Sequence, residues 1–149
     1  MPATPAVTPD SCSCISLRKA ARHVSQFYDV YLAPLGIRTT QYSILSRVAR
    51  QGAPRINTLA TELAMDRSTM SRNLAPLERM GLLSAGTDPK DARSRRITLT
   101  PKGEAVLEAA RPRWHEAQLA FDAAFGRARS DTLRTIIAEL VATELHHDV

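Results

Sequence analysis

Apolar residues recur at helical spacing through most of the chain, and the breaks in that spacing divide it into elements. Ile15, Leu17, Ala20, Ala21, Val24, Phe27, Tyr28, Tyr31 and Leu32 keep to helical spacings, which predicts a long first helix over residues 13–33, ending before Pro34-Leu35-Gly36. Thr39 or Thr40 can cap a second helix that carries Tyr42, Ile44, Leu45 and Val48 and closes near Gln51-Gly52. Ile56 reads as a one-residue strand, and Asn57 as the cap of a short third helix with Leu59, Leu63 and Ala64 inward. A tight turn then leads to Asp66, an N-cap for a fourth helix that Gly81 stops. In that helix Met70, Leu74 and Leu77 form one stripe, while Ser68, Thr69, Ser71 and Arg72 project from the other side. Two short helices across a tight turn, the second polar on its exposed start, make the helix-turn-helix pattern.

Past Gly81, the β-prone runs Leu82-Leu83-Ser84-Ala85 and Arg96-Ile97-Thr98-Leu99 flank a Gly/Asp/Pro-rich connection, which predicts a hairpin or wing. Its tip and flank carry Lys90, Arg93, Arg95 and Arg96 against Asp88 and Asp91. Thr100-Pro101 then starts a long helix running toward Phe125, with a kink or local break expected at Pro112. Ser130 or Asp131 is expected to open the last helix, whose stripe is Leu133, Ile136, Ile137, Leu140, Val141 and Leu145. That stripe and the first and fifth helices hold more apolar face than one small winged unit can cover, which argues for a helical homodimer. The expected architecture is mainly α with a small β-wing. It comprises a disordered lead-in (1–10), an N-terminal dimerisation helix (11–35), a winged helix-turn-helix unit (36–103) and C-terminal dimerisation helices (104–149).

Composition narrows the class. A chain of 149 residues with 44% hydrophobic content can bury a real core. No apolar run approaches the roughly 18 residues of a spanning helix, and MPATPAVTPD lacks the layout of a signal peptide, so no membrane association and a cytoplasmic location are expected. The net charge of +5 is uneven: residues 1–54 carry +4, residues 55–103 carry +4 and residues 104–149 carry −3. The asymmetry points to nucleic acid or to an ordinary basic solvated surface, and because the basic part contains the helix-turn-helix, double-stranded DNA is the expected partner. Nothing points to an enzyme: there is no phosphate-binding glycine loop, no metal-ligand motif and no sign of a catalytic triad, and no cofactor is expected.

The motifs together resemble the MarR family of bacterial winged helix-turn-helix regulators over nearly the whole chain after about residue 12. They are Thr40-Gln41-Tyr42, Leu59-Ala60, Asp66-Arg67-Ser68-Thr69, Leu77-Glu78-Arg79-Met80-Gly81-Leu82, and Asp88-Pro89 with Asp91-x-Arg93 before Leu99-Thr100-x-x-Gly103. The resemblance implies a homodimer whose first, fifth and sixth helices interlock and whose two winged units read a pseudo-palindromic operator. Ser68, Thr69 and Arg72 are then expected at base edges, while Arg67, Ser71 and Lys90 hold phosphates. In such proteins a pair like Asp91 and Arg93 stabilises the wing, which leaves Arg95 or Arg96 for the groove. Pro76 inside the recognition helix removes the bond to the Arg72 carbonyl and is expected to bend it.

Two switches come into view. Cys12 and Cys14 are the only cysteines and stand at the start of the first helix, where a thiol can have a lowered pKa. The family has a peroxide-sensing branch, and Cys14 stands at the spacing of its reactive cysteine relative to Tyr28; Arg18 and Thr39 stand where two further tyrosines would be. A metal held by the cysteines with His23 or the His146-His147 pair lacks any recognised ligand spacing. The other switch that the resemblance implies is a small ligand, commonly an aromatic acid or phenol in this family, for which Arg22, His23, Tyr31, Tyr42 and Trp114 are the pocket candidates, with a structural role in the core as the alternative for each. The competing reading is a winged-helix interaction module whose basic face meets an acidic protein partner.

Overall fold

The computed structural model describes residues 8–145, so residues 1–7 of the expected lead-in and the His146-His147 pair lie outside it. Its elements are α1 (Ser13–Leu32), α2 (Thr39–Gln51), α3 (Ile56–Glu62), α4 (Arg67–Arg79), β1 (Leu83–Asp88), β2 (Asp91–Leu99), α5 (Pro101–Phe125) and α6 (Arg127–Ala142). Short 3-10 turns at Pro9–Ser11 and Ala33–Leu35 bracket α1. This is a mainly helical winged helix-turn-helix fold with one two-stranded antiparallel sheet.

The predicted α4 stripe is the centre of the core: Met70, Leu74 and Leu77 are at most 1% exposed. They pack with Ile44, Leu45 and Val48 of α2, Leu59 of α3, Ile97 of β2, and Leu107 and Ala110 of α5. The start of α2 is capped from a distance, the Thr39 N–H donating to Asp29 Oδ1 of α1 at 2.7 Å, while the Arg38 N–H donates to Gln41 Oε1 at 2.9 Å.

Several expectations need correction. α3 begins at Ile56, whose side chain is buried in the core; the isolated bridge falls one residue earlier, Arg55 pairing with Arg96, and Arg55 rather than Asn57 is the N-cap. Ala64 does not face inward. It is exposed at φ 50°, turning the chain out of α3 so that the Met65 N–H reaches the Ala60 carbonyl at 2.8 Å. The hairpin strands extend to Asp88 and Asp91, leaving only Pro89-Lys90 as the connection, because backbone pairing continues through Gly86↔Arg96 and Thr87↔Arg95 despite weak β-propensity. α5 runs unbroken through Pro112, so the local break expected there is absent, while α4 continues past Pro76; each proline removes one backbone bond without ending its helix. α6 starts at Arg127, directly after Gly126 at φ 98°, because the glycine makes the turn that Ser130 was expected to make. Ser130 is instead fully buried.

One joint fixes the end of the recognition helix to α5. The Thr100 N–H donates to the Leu82 carbonyl at 3.1 Å, and its hydroxyl donates to the Gly81 carbonyl while accepting the Gly103 N–H at 3.0 Å. Lys102 Nζ adds a bond to the Met80 carbonyl at 2.8 Å. Gly103 sits so close that an added Cβ would lie 2.0 Å from the Leu82 carbonyl oxygen.

The other end of α5 belongs to a second region. Tyr28 donates to Gln118 Oε1 at 2.8 Å, Gln118 donates to Asp122 Oδ1 at 3.1 Å, and Arg134 of α6 lies 3.4 Å from the same oxygen. Beyond this network α6 leaves Ile136, Ile137, Leu140 and Val141 exposed, as α1 leaves Ile15 and Leu17.

The joint yields a stability prediction. Gly103→Ala should destabilise the fold by about 1–3 kcal/mol or more, since a backbone carbonyl cannot move aside as a side chain can. Urea unfolding at neutral pH reads the change; a variant as stable as wild type would mean that α5 is not seated on Leu82 as described.

Candidate nucleic-acid interface

The face to be explained is assembled from the start of α4 and the wing. Asp66 caps α4, accepting the Thr69 N–H on Oδ1 and the Thr69 hydroxyl on Oδ2, both at 2.7 Å. The Thr69 hydroxyl, then its N–H, hold the Asp66 carboxyl below the usual carboxylate range, with Arg72 assisting. Arg72 Nη2 in turn donates to Thr69 Oγ1 at 3.2 Å, and the Ser71 hydroxyl donates to the Arg67 carbonyl at 2.9 Å. Arg67, Ser68, Ser71 and Arg72 are exposed and Thr69 is half-buried, so the predicted polar face does project from the core.

The wing is held by a residue that the linear pattern placed merely at its tip. The Asp88 side chain is fully enclosed. Its Oδ2 receives Arg55 Nη2 at 2.7 Å, Arg55 Nε at 2.8 Å and Arg96 Nε at 3.1 Å, while Oδ1 receives the Lys90 N–H at 2.9 Å. The Lys90 N–H bond, then the two guanidiniums, overcome the cost of burial and keep the Asp88 carboxyl below its ordinary range. Arg96 Nη1 also donates to the Ala53 carbonyl at 2.9 Å. Arg96 is therefore engaged inside the wing's anchor, and Arg95, 3.9 Å from Glu78, is the more open of the two. Asp91 accepts the Arg93 backbone N–H at 3.0 Å, which shapes the turn without tying down the Arg93 guanidinium.

The structure brings Arg67, Arg93 and Arg95 to one cleft of about 360 Å³, together with Arg55, Asn57 and Thr58. Arg55 and Thr58 are absent from the linear reading, and Asn57 entered it only as a helix cap. They are distant in sequence from the wing residues they join, which leaves no local signal; the Arg55–Asp88 contact reveals the link. Lys90 lines a different hollow of about 480 Å³, with Ala53, Ser84 and Thr98.

The other candidates scatter. Cys12 is half-buried and Cys14 exposed. Tyr28 is buried and fourteen residues further along the same helix, roughly 21 Å away, so one protomer does not bring it to Cys14. Tyr42 and Trp114 are stacked with centroids 5.6 Å apart, and Tyr31 packs on Phe27 at 5.5 Å. Arg22 and His23 stand exposed on the first half of α1. Among the described residues no group of three or more His, Cys, Asp or Glu is placed to hold a metal, and no helix is long and apolar enough to cross a membrane.

A buried helical stripe, a polar recognition helix and an anchored wing define a winged helix-turn-helix regulator, and comparison with known proteins assigns the family. Residues 37–94 match the MarR family model. The chain is similar to the Mycobacterium tuberculosis transcriptional regulator MosR, solved in complex with DNA: 34% identity over 89% of this chain and 99% of that one, TM-score 0.74. The transcriptional repressor CouR, solved on a 23-mer DNA duplex, shares 25% identity over 89% of this chain and 94% of its own, TM-score 0.78. The HTH-type transcriptional regulator YxaD of Bacillus subtilis is 33% identical over 73 residues, 49% of this chain and 51% of that protein, so the match spans about half the length of this curated relative. The chain belongs to the MarR family of transcriptional regulators, which are not enzymes.

The wing anchor carries its own pH dependence. A carboxyl whose folded pKa lies below its unfolded value of about 3.9 contributes stability that is fully present above that value and is lost as pH falls through the folded one. Asp88→Asn should therefore be less stable than wild type at pH 7, with the gap holding down to about pH 4 and closing below it. Urea midpoints across pH 2–7 measure this, and a gap independent of pH would exclude ionised Asp88 as its source.

Proposed function

We propose that this protein is a homodimeric repressor that binds a pseudo-palindromic DNA operator through two winged units. The observation that carries the reading is the convergence of the exposed start of α4 and the wing arginines Arg93 and Arg95 on one polar face, with Arg67 between them. Arg72 and Ser68 are the readers of base edges, Arg67 and Ser71 contact phosphate, and the wing supplies Lys90, Arg93 and Arg95 to the neighbouring backbone and minor groove. Thr69 and Arg96 serve those contacts from behind, through Asp66 and Asp88. MosR and CouR, both solved on DNA, support transfer of this mode of action.

Dimerisation is supported by the uncovered apolar residues of α1 and α6, with residues 11–35 and 104–149 as the dimerisation segments on either side of the 36–103 reading unit. A dyad would place the two α4 helices about one DNA turn apart, roughly 34–36 Å. Release follows when an aromatic or phenolic effector, or an oxidised thiol, is held better in the spacing that does not fit DNA. For the thiol, the Cys14 thiolate attacks the terminal hydroperoxide oxygen, an S–O bond forms as the O–O bond breaks, and the products are a Cys14 sulfenic acid and an alkoxide that takes a proton from water to become the alcohol. Tyr28 could meet that thiol only from the partner copy.

Two measurements test these readings. Arg72→Ala should weaken operator binding by about 1–3 kcal/mol and relax preference at one base pair; unaltered affinity and selectivity in a folded variant would remove Arg72 from base readout. Operator release by an organic hydroperoxide should be lost in Cys14→Ser and retained in Cys12→Ser, and equal release of wild type and both variants would end the thiol reading.

A further inference from the structure

We infer that the cleft between α3, α4 and the wing is a phosphodiester site in which Arg55 serves both the wing and the DNA. It rests on the DNA-binding reading above and names a contact which that reading does not contain. The cleft is lined by four arginines, Arg55, Arg67, Arg93 and Arg95, against the single carboxylate of Asp91, with Asn57 and Thr58 as neutral donors. Among the described residues no carboxylate lies within ion-pair distance of the Arg67 or Arg93 guanidinium, and the Arg95–Glu78 pair is open at 3.9 Å. Cations left without partners around a concave polar surface call for an anion, and the walls come from an α3 helix start, an α4 start and a β-strand, so a backbone lying between major and minor groove would run through it.

Arg55 differs from the other three. Its Nε and Nη2 are both spent on Asp88 Oδ2, yet its side chain remains 42% exposed and faces the cleft. A guanidinium has five N–H donors, so Nη1 and the outer edge stay available after the fork to Asp88 is made. The buried carboxylate therefore does two things at once: it docks the wing, and it aims a cation at the phosphate path. A phosphate bound there finds the wing already in place, which couples backbone contact to wing docking through one side chain.

The test is the salt dependence of operator binding by the full chain. In wild type the logarithm of affinity should fall steeply with the logarithm of salt; a flat dependence would sink the DNA reading itself, and this proposal with it. Arg55→Gln should reduce the slope by about 0.9 per protomer, whereas Arg55→Lys, which keeps a cation in the cleft, should restore most of it. An unchanged slope in folded Arg55→Gln overturns the proposal, and so does an equal loss in both variants, which would assign Arg55 to wing docking alone. Asn57→Asp leaves the anchor untouched and puts an acidic group at a helix start, where it is tolerated. It should bind at least about tenfold more weakly at the same salt; wild-type affinity would count against the site.

Discussion

The carboxylate of Asp88 is enclosed by the wing and answered by two arginines that approach it from different parts of the chain, Arg55 ahead of α3 and Arg96 on β2. A two-stranded hairpin has no independent stability in water, so its position relative to the helices must come from contacts of this kind. The isolated bridge between Arg55 and Arg96, with the Ile97 N–H donating to the Pro54 carbonyl at 2.9 Å, makes a third, one-residue rung beside the hairpin. Asp88 closes that rung with charge. Removing either arginine would leave an enclosed carboxylate short of a partner, which is more damaging than removing a surface ion pair.

What Asp88 does for the wing, Thr100 and Gly103 do for the recognition helix. Because α5 starts against the Leu82 carbonyl and shares hydrogen bonds with Gly81, the first part of α5 travels with α4. Leu107 and Ala110 extend that union into the core. The last part of α5 is tied through Gln118 and Asp122 to Tyr28 and Arg134 instead. α5 is thus attached at one end to α4 and at the other to α1 and α6, alongside the direct bond from α2 to Asp29 of α1, and Pro112 lies between its two sets of attachments.

The α4 stripe was legible because burial has a period: Met70, Leu74 and Leu77 are among the most enclosed side chains, as their spacing predicts. The same periodicity in α1 predicted the helix but could not tell a core face from an uncovered one, and Ile15 and Leu17 are exposed in a single chain. Strand ends were misplaced because Gly86, Thr87, Arg95 and Arg96 pair through backbone alone, which leaves no apolar alternation to read. The wing anchor was illegible for a different reason. A pairing between positions 55 and 88 depends on how the chain returns on itself, and charge counts within the hairpin make Asp88 look like a counter-ion at the surface when it is enclosed.

Internal hydrogen bonding also limits what α4 can read. The Thr69 hydroxyl has its one proton on Asp66 and accepts from Arg72, and the Ser71 hydroxyl donates to the Arg67 carbonyl. Neither hydroxyl can donate to a base without giving up a bond made inside the helix. Ser68, the Arg67 guanidinium and the remaining donors of Arg72 are thus free to donate from this face at no internal cost, and Arg72 is held ready by Thr69, which lowers the entropy lost on binding. On the proposed mode of binding, the Thr69 and Ser71 side chains at the start of α4 are committed inside the helix, so part of the selectivity would fall on groove width and duplex deformability, met by the wing through the backbone and minor groove. On this account the anchoring of the wing by Asp88 bears on sequence preference as much as on affinity, because a wing free to swing would accept grooves of any width.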